Sequence, residues 1–403
     1  MAGQYSHLQF FRRTPNALLA RYFHERHGVL QEIVFGKLKE TEVEPIFQGF
    51  TALPDDKQAK IEAECQDIDA MACQGGVMAL TDEADYHQDK AFPAAISKID
   101  GFHGAVMWAF LEHTNYWTGA TLFLHADNIS ESLWKKRNDL PHLPPHVEDE
   151  DAERLAQGIS HYFHTKEGRG RNCKVEVFRR YEKEYFHAYP EDFAQSGMEW
   201  VRNSLSARAR HPAFEIIFVY CQAEGSLDIY APRNTKAVPE LQQIFAETIL
   251  KFDDLEELAE DDRVYALDAL ANRDFVFKYP PDCGIESVAV RMLRLSLKTG
   301  KKRRVTVEAE SKQDLKAVYD VMNKLTLPPF HVTQTEIQVT FAPTPGTRAR
   351  IRSFKISAPN WCALRHDVRD LIIRKMLVDS GIEPMQPETK AVEAETEENG
   401  SVA

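Results

Sequence analysis

The sequence predicts an α+β protein in which a helical N-terminal region is followed by two antiparallel ββαββα units and a disordered acidic tail. Apolar residues recur at helical spacing up to about residue 165 and alternate with polar ones thereafter. The order strand, strand, helix, strand, strand, helix then occurs twice, in segments whose length of about 90 residues suits a small sheet covered on one face by two helices. From Pro384 onward the chain is rich in Glu and poor in aromatics, so burial cannot offset its ordering entropy. The expected divisions are 1–165 (helical), 166–252 (first ββαββα unit), 253–287 (acidic linker), 288–380 (second unit) and 381–403 (tail).

The first helix signal is Thr14 as N-cap with Pro15 behind it, an ALLARYF run, and Gly28 as the stop. A second helix runs from Asp55 to Cys73, with Ile61, Cys65, Ile68 and Ala72 on one face and Gly75-Gly76 as terminator. Phe102 to His113 is apolar enough for a buried helix. Asp149 to Thr165 opens on acids and carries Leu155, Ile159, Tyr162 and Phe163. Between them PHLPPH, from Pro141 to His146, is a proline-marked connection.

Alternation then places strands at Cys173–Arg180 and Tyr185–Tyr189, a helix at Asp192–Leu205, strands at Phe214–Gln222 and Leu227–Tyr230, and a helix at Val238–Leu250. The second unit repeats the order, with strands at Val288–Leu297 and Arg303–Glu308, a helix at Ser311–Lys324, strands at Val332–Phe341 and Arg348–Ser357, and a helix at Trp361–Ser380. The units share a topology and no residue-by-residue similarity.

Composition is that of an ordinary globular protein, at 403 residues with 43% hydrophobic and 28% charged side chains. The longest apolar run, Ala213 to Cys221, contains Glu215 and falls far short of the roughly 20 residues of a membrane span. No membrane partner is expected. The N-terminus lacks an apolar centre with a cleavage site, so a cytoplasmic location is expected. Six cysteines, scattered singly, read as free thiols.

The formal net charge of −13 conceals an asymmetry. Residues 1–150 sum to −10, 151–287 to −8, 288–380 to +10, and the last 23 residues to −5. One basic segment thus lies inside an acidic protein, flanked by DDLEELAEDD at Asp253–Asp262 and by the glutamate-rich tail. A local field acts on partners whatever the total. Tethered acids on either side would compete for the same surface, which is the regulatory expectation.

No nucleotide or acyl-transfer motif survives inspection. Thr299-Gly300-Lys301-Lys302 has Leu295 where a phosphate-binding loop needs its first Gly, and no GxSxG occurs. No cofactor is expected, no catalytic residue is assigned, and the balance leans away from an enzyme. Histidine pairs three apart, His24/His27 and His161/His164, share helix faces, and His161 with His164 are the first metal candidates of a hydrolase or nuclease alternative. Glu215 and Asp228 offer two strand-borne acids with no Lys placed beside them.

The basic signal is the sharpest. Lys298, Lys301, Lys302, Arg303 and Arg304 crowd the first C-terminal hairpin, and Arg348, Arg350, Arg352 and Lys355 the exit strand of the second. Alternation puts Arg348, Arg350 and Arg352 on one strand face at about 6.6–6.8 Å intervals, a stripe suited to successive phosphates. Shorter basic runs lie at Lys166–Lys174 and at Arg202, Arg208 and Arg210, with no aromatic residues interleaved. The expected function is a non-enzymatic binding or regulatory protein whose basic C-terminal unit engages nucleic acid or another polyanion. The alternatives are the metal-dependent enzyme and an adaptor docking on an acidic protein; sequence leaves the oligomeric state open.

Overall fold

The computed structural model describes residues 5–130, 133–201, 204–256, 264–298, 303–311, 314–343, 349–364 and 368–383. The expected tail over 384–403 and most of the acidic run lie outside the described residues, as do Lys301, Lys302 and Arg348. The chain is an α+β protein with a helical N-terminal region and antiparallel sheets. It divides into two compact units: residues up to Ile129 with Arg179–Tyr181, and Ser130–Phe178 with everything from Glu182 onward.

The first unit comprises α1 (His7–Arg13), α2 (Asn16–Ala20), α3 (Glu44–Thr51), α4 (Asp55–Met71), α5 (Gln74–Tyr86), α6 (Phe92–Ile96), α7 (Phe102–Glu112) and α8 (Thr114–Asn128). Aromatic side chains fill its core, among them Phe10, Phe11, Tyr22, Phe23, Phe50 and Phe123. Helix α4 buries Ile61, Cys65 and Ile68 as the spacing requires, and Gly28 closes the α2 segment at φ +64°. Two caps differ from expectation. Thr14 follows α1 as its C-cap, its buried hydroxyl donating to the Phe10 carbonyl at 2.9 Å, and Pro15 takes the N-cap position of α2. Gly75 and Gly76 belong to α5 and do not end α4. A Cβ on Gly76 would lie 2.0 Å from the Met71 carbonyl oxygen, so the tight junction between the two helices is what demands glycine. Arg180 is buried in this unit, with Nε 2.9 Å from Asp82 and Nη1 2.9 Å from Asp127.

The second unit holds two five-stranded sheets. The first uses β1 (Trp134–Arg137), β2 (Cys173–Arg180), β3 (Lys183–Pro190), β6 (Ile216–Cys221) and β7 (Ser226–Tyr230), in the order β1-β7-β6-β3-β2. Helices α9 (Asp149–Glu167) and α10 (Val238–Phe245) bring Leu155, Ile159, Phe163, Leu241 and Phe245 onto Phe186 and Phe218 of its strands. Between β3 and β6, where a helix over Asp192–Leu205 is expected, the chain instead forms β4 (Gln195–Val201) and β5 (Ser204–Arg210), a separate two-stranded sheet.

The C-terminal sheet has β8 (Ile285–Leu297), β9 (Arg304–Glu308), β10 (Phe330–Phe341), β11 (Arg350–Ser357) and β12 (Trp361–Cys362), ordered β12-β11-β10-β8-β9. Helices α11 (Ala317–Met322) and α12 (Val368–Asp379) accompany it. The helix expected from Trp361 starts later, because Trp361 and Cys362 pair with Ser357 and Ile356 as a strand. Residues placed in the linker also join this core: Val264, Tyr265, Leu267 and Leu270 are buried with Leu293, Ile337, Phe354 and Ile373. Among the described residues no helix is long and apolar enough to cross a membrane.

Candidate nucleic-acid interface

Strand order decides which cations can act together. In the C-terminal sheet β9 pairs with β8, β8 with β10, and β10 with β11. Arg304 lies opposite Ser296, and Ser296 opposite His331 at the start of β10. Arg350 lies opposite Phe341 at the far end of the same strand. At about 3.3 Å per residue the two positions are about 33 Å apart along the sheet. The two basic hairpins therefore point to opposite ends and do not make one stripe.

The arginines of β11 also face differently from expectation. Arg350 and Arg352 alternate in step with Phe354 and Ile356, which are buried in the core. Arg352 is held there by Asp370 of α12, Nε to Oδ1 at 3.0 Å and Nη2 to Oδ2 at 2.8 Å, and it donates to the Ala363 carbonyl at 3.0 Å. Lys355, on the other face, stands opposite Glu336 with Nζ 3.5 Å from its carboxylate. Glu336, Arg352, Lys355 and Trp361 border a cavity of about 260 Å³. Of the described members of the second cluster, Arg350, Arg352 and Lys355, only Arg350 is exposed with no ion pair to a described residue.

At the other end the described cations are open. Lys298, Arg303 and Arg304 are exposed, and none has an ion pair to a described residue. Arg294 joins them: it lies opposite Thr306 while Arg304 lies opposite Ser296, so the two side chains leave one sheet face from diagonal backbone positions about 7–8 Å apart. Asp268, near this end, is already engaged by the Val332 amide at 2.6 Å and by His331 Nδ1 at 2.7 Å. Sequence reasoning passed over Arg294 because it sits inside an apolar strand, away from the charge run. Its signal is the register to β9, which alternation alone does not supply.

On the β4–β5 hairpin Trp200 and Arg208 lie on opposite faces, since the Trp200/Leu205 and Gly197/Arg208 pairs are an odd number of positions apart in the ladder.

The acid and histidine candidates have other roles. Asp228 of β7 does have a lysine beside it, since Lys136 of β1 is its partner in register. Both are buried, in a cluster that joins the two sheets of this unit. Lys136 contacts Glu383 and lies 3.2 Å from Glu224, Ser226 donates to Glu224 at 2.8 Å, and Lys183 lies 3.9 Å from it. Burial opposes the charge on Lys136, but Glu224, Glu383 and Asp228 more than offset it and raise its pKa above the usual lysine range. Glu224 shifts in the complementary sense: burial pushes its pKa up, while Lys136 and Lys183 pull it further down, below the usual carboxylate range. Arg374 is equally buried among Asp228, Cys362, Tyr265 and Glu383. Three cations thus face three carboxylates in a closed seam. Glu215 accompanies His187 at 3.4 Å.

His161 and His164 are exposed on α9. His27 bonds Glu64 at 2.9 Å and His24 the Leu30 carbonyl at 2.7 Å. For Glu64, burial raises the pKa, and hydrogen bonds from His27 and Tyr22 together with the His27 and Arg26 charges outweigh it, bringing the carboxyl down to about 2. Among the described residues no three His, Cys, Asp or Glu side chains gather in a group that could hold a metal ion. Compared with known proteins, the sequence matches no family model and no curated protein.

Proposed function

We propose that the chain is a polyanion-binding protein whose C-terminal unit contacts nucleic acid through the β8–β9 end of its sheet. The observation that supports this reading is the grouping of Arg294, Lys298, Arg303 and Arg304 at one end, without carboxylate partners among the described residues, while Arg352 is paired with Asp370 and Lys355 with Glu336. Forked guanidinium donors on one face suit phosphate oxygens, and contact of that kind positions a strand without reading its sequence. The covalently attached acidic tail competes for the same cations, so removing residues 384–403 tightens binding, most at low salt.

The test is a fluorescence-anisotropy titration of the full chain against mixed-sequence duplex and single-stranded DNA and RNA, from about 50 to 200 mM salt. Changing Arg294, Arg303 and Arg304 together to Gln is expected to reduce the log-log salt slope by about 2–3, since each lost phosphate contact removes about 0.7–0.9 of a released counterion. Arg350→Gln, at the opposite end, leaves the slope within about one contact of wild type. No binding of the wild-type chain at 50 mM salt overturns the reading.

A further inference from the structure

Among the described residues, the β4–β5 hairpin leaves three large apolar side chains, Met198, Trp200 and Leu205, open to solvent. Its root is firmly held. The Asp192 amide donates to the Pro212 carbonyl at 2.7 Å, the Phe214 amide to the Pro190 carbonyl at 2.9 Å, and Arg169 pairs with Asp192 at 3.0 Å while lying 4.1 Å over the Phe214 ring. Beyond that root two seven-residue strands form a sheet of their own, about 24 Å long. An isolated two-stranded ribbon is marginal in water and needs a covered face.

Directly opposite residues share a face of an antiparallel pair, so the register sorts the arm into two. Gln195, Glu199, Arg208 and Arg210 lie on one face, with Glu199 3.7 Å from Arg210. The other face carries Trp200 with Leu205, Met198 with Ala207, and Ser196 with Ala209. It has no charge, and its large side chains are open to solvent: Trp200 is 73% exposed, Met198 63% and Leu205 50%.

From tip to root that face tapers in bulk, from two large residues, to one large and one small, to two small. We propose that it is covered by the same face of a second copy of this chain, the two arms lying antiparallel about a two-fold axis through the Met198/Ala207 pair. In that arrangement the Trp200/Leu205 pair of each arm rests on the Ser196/Ala209 pair of the other, which fills the space between the ribbons evenly. A copy laid parallel would set the Trp200/Leu205 pair against its own equivalent and leave a gap at the root. Self-complementarity of one patch is what an isologous dimer requires, and an uncharged face meets its copy without like-charge repulsion. A phosphate backbone finds no cation on this face, because Arg208 and Arg210 leave the other one. The buried area is a few hundred Å² per copy, at the small end of specific interfaces, so the association is weak and concentration-dependent.

Sedimentation velocity of the full chain from about 1 to 300 µM tests this. The weight-average sedimentation coefficient of wild type is expected to rise from monomer toward dimer across that range. Trp200→Ser and Met198→Ser each weaken the association at least tenfold, whereas Arg208→Ala leaves it unchanged; all three positions are exposed, so folding is not at stake. The two-fold axis makes a further demand. Met198→Cys, but not Ser196→Cys, forms a disulfide-linked dimer above the wild-type background on mild oxidation. Three results overturn the proposal: wild type monomeric at 300 µM, dimerisation insensitive to Trp200→Ser, or a monomeric chain that loses binding to oligothymidine or to anionic phospholipid vesicles when Trp200 is changed.

Discussion

Arg352 and Asp370 form a two-point ion pair across 18 residues of sequence, in which the carboxylate is 2% exposed. The pair ties α12 to β11 and takes Arg352 out of the set of cations open to a polyanion. Arg352→Ala removes two charge-assisted bonds from a buried carboxylate, and is expected to cost about 2–4 kcal/mol. Arg352→Lys recovers less than half, because an ammonium cannot span both oxygens. Urea denaturation of the full chain measures both; a loss below about 0.5 kcal/mol for the alanine variant means that water substitutes for the guanidinium.

Thr14 sits at the end of α1, and its hydroxyl has a defined acceptor in the Phe10 carbonyl. Thr14→Ala is expected to destabilise by about 1 kcal/mol, and Thr14→Val by a similar amount, since the methyl groups are kept and the donor is lost. Equal stability of wild type and the valine variant in denaturant titrations would show that the Thr14 backbone amide, 3.1 Å from the same oxygen, suffices.

Gly76→Ala places a methyl group 2.0 Å from the Met71 carbonyl oxygen, against backbone that cannot rotate away. A loss above about 3 kcal/mol is expected, at the upper end for overpacking. Thermal melting that shifts by less than a few degrees would mean that α5 moves as a rigid body to make room.

Glu83 supplies a pH dependence. Burial raises its pKa from 4.5 to about 7, with His87 Nε2 3.5 Å away. The folded state therefore holds this proton more tightly than the unfolded chain does. Its contribution to stability is complete below about pH 4.5 and is lost as pH rises through 7, about 3 kcal/mol in all. Glu64, depressed to about 2, acts in the opposite sense at lower pH, so the informative quantity is the difference between wild type and Glu83→Gln. That difference is expected to grow in favour of the variant from pH 5 to pH 8 in denaturation midpoints. A constant difference would place the carboxyl at its ordinary pKa.

Most strands and the long helices were legible because burial on one face writes its period into the chain, as Ile61, Cys65 and Ile68 do on α4 and the apolar run does on β6. The arm was misread because Asp192 resembles a cap and its apolar residues fit a helical stripe as well as a ladder. With no core to face, β4 and β5 carry only a weak alternation. The candidate site was legible in residue type and not in arrangement. Nothing in the local pattern states that β8 lies between β9 and β10, which sends the two basic hairpins to opposite ends, or that Asp370 comes back to Arg352. Pairings distant in sequence are what strand order and helix packing add.

The seam of Lys136, Lys183 and Arg374 against Glu224, Asp228 and Glu383 bears on how the molecule can be dissected. Cutting before residue 288 to isolate the basic unit would strip Arg374 and Glu383 of Lys136, Asp228 and Glu224 and open a seam that is closed in the whole unit. The smallest fragment that keeps every partner of this seam begins ahead of β1, before Trp134, and runs through Glu383, though it parts Arg180 from Asp82 and Asp127. Shorter pieces should be recovered as insoluble or partly folded material even where their own strands are complete, so a failure of such a fragment to bind a polyanion would speak to its folding and not to its surface.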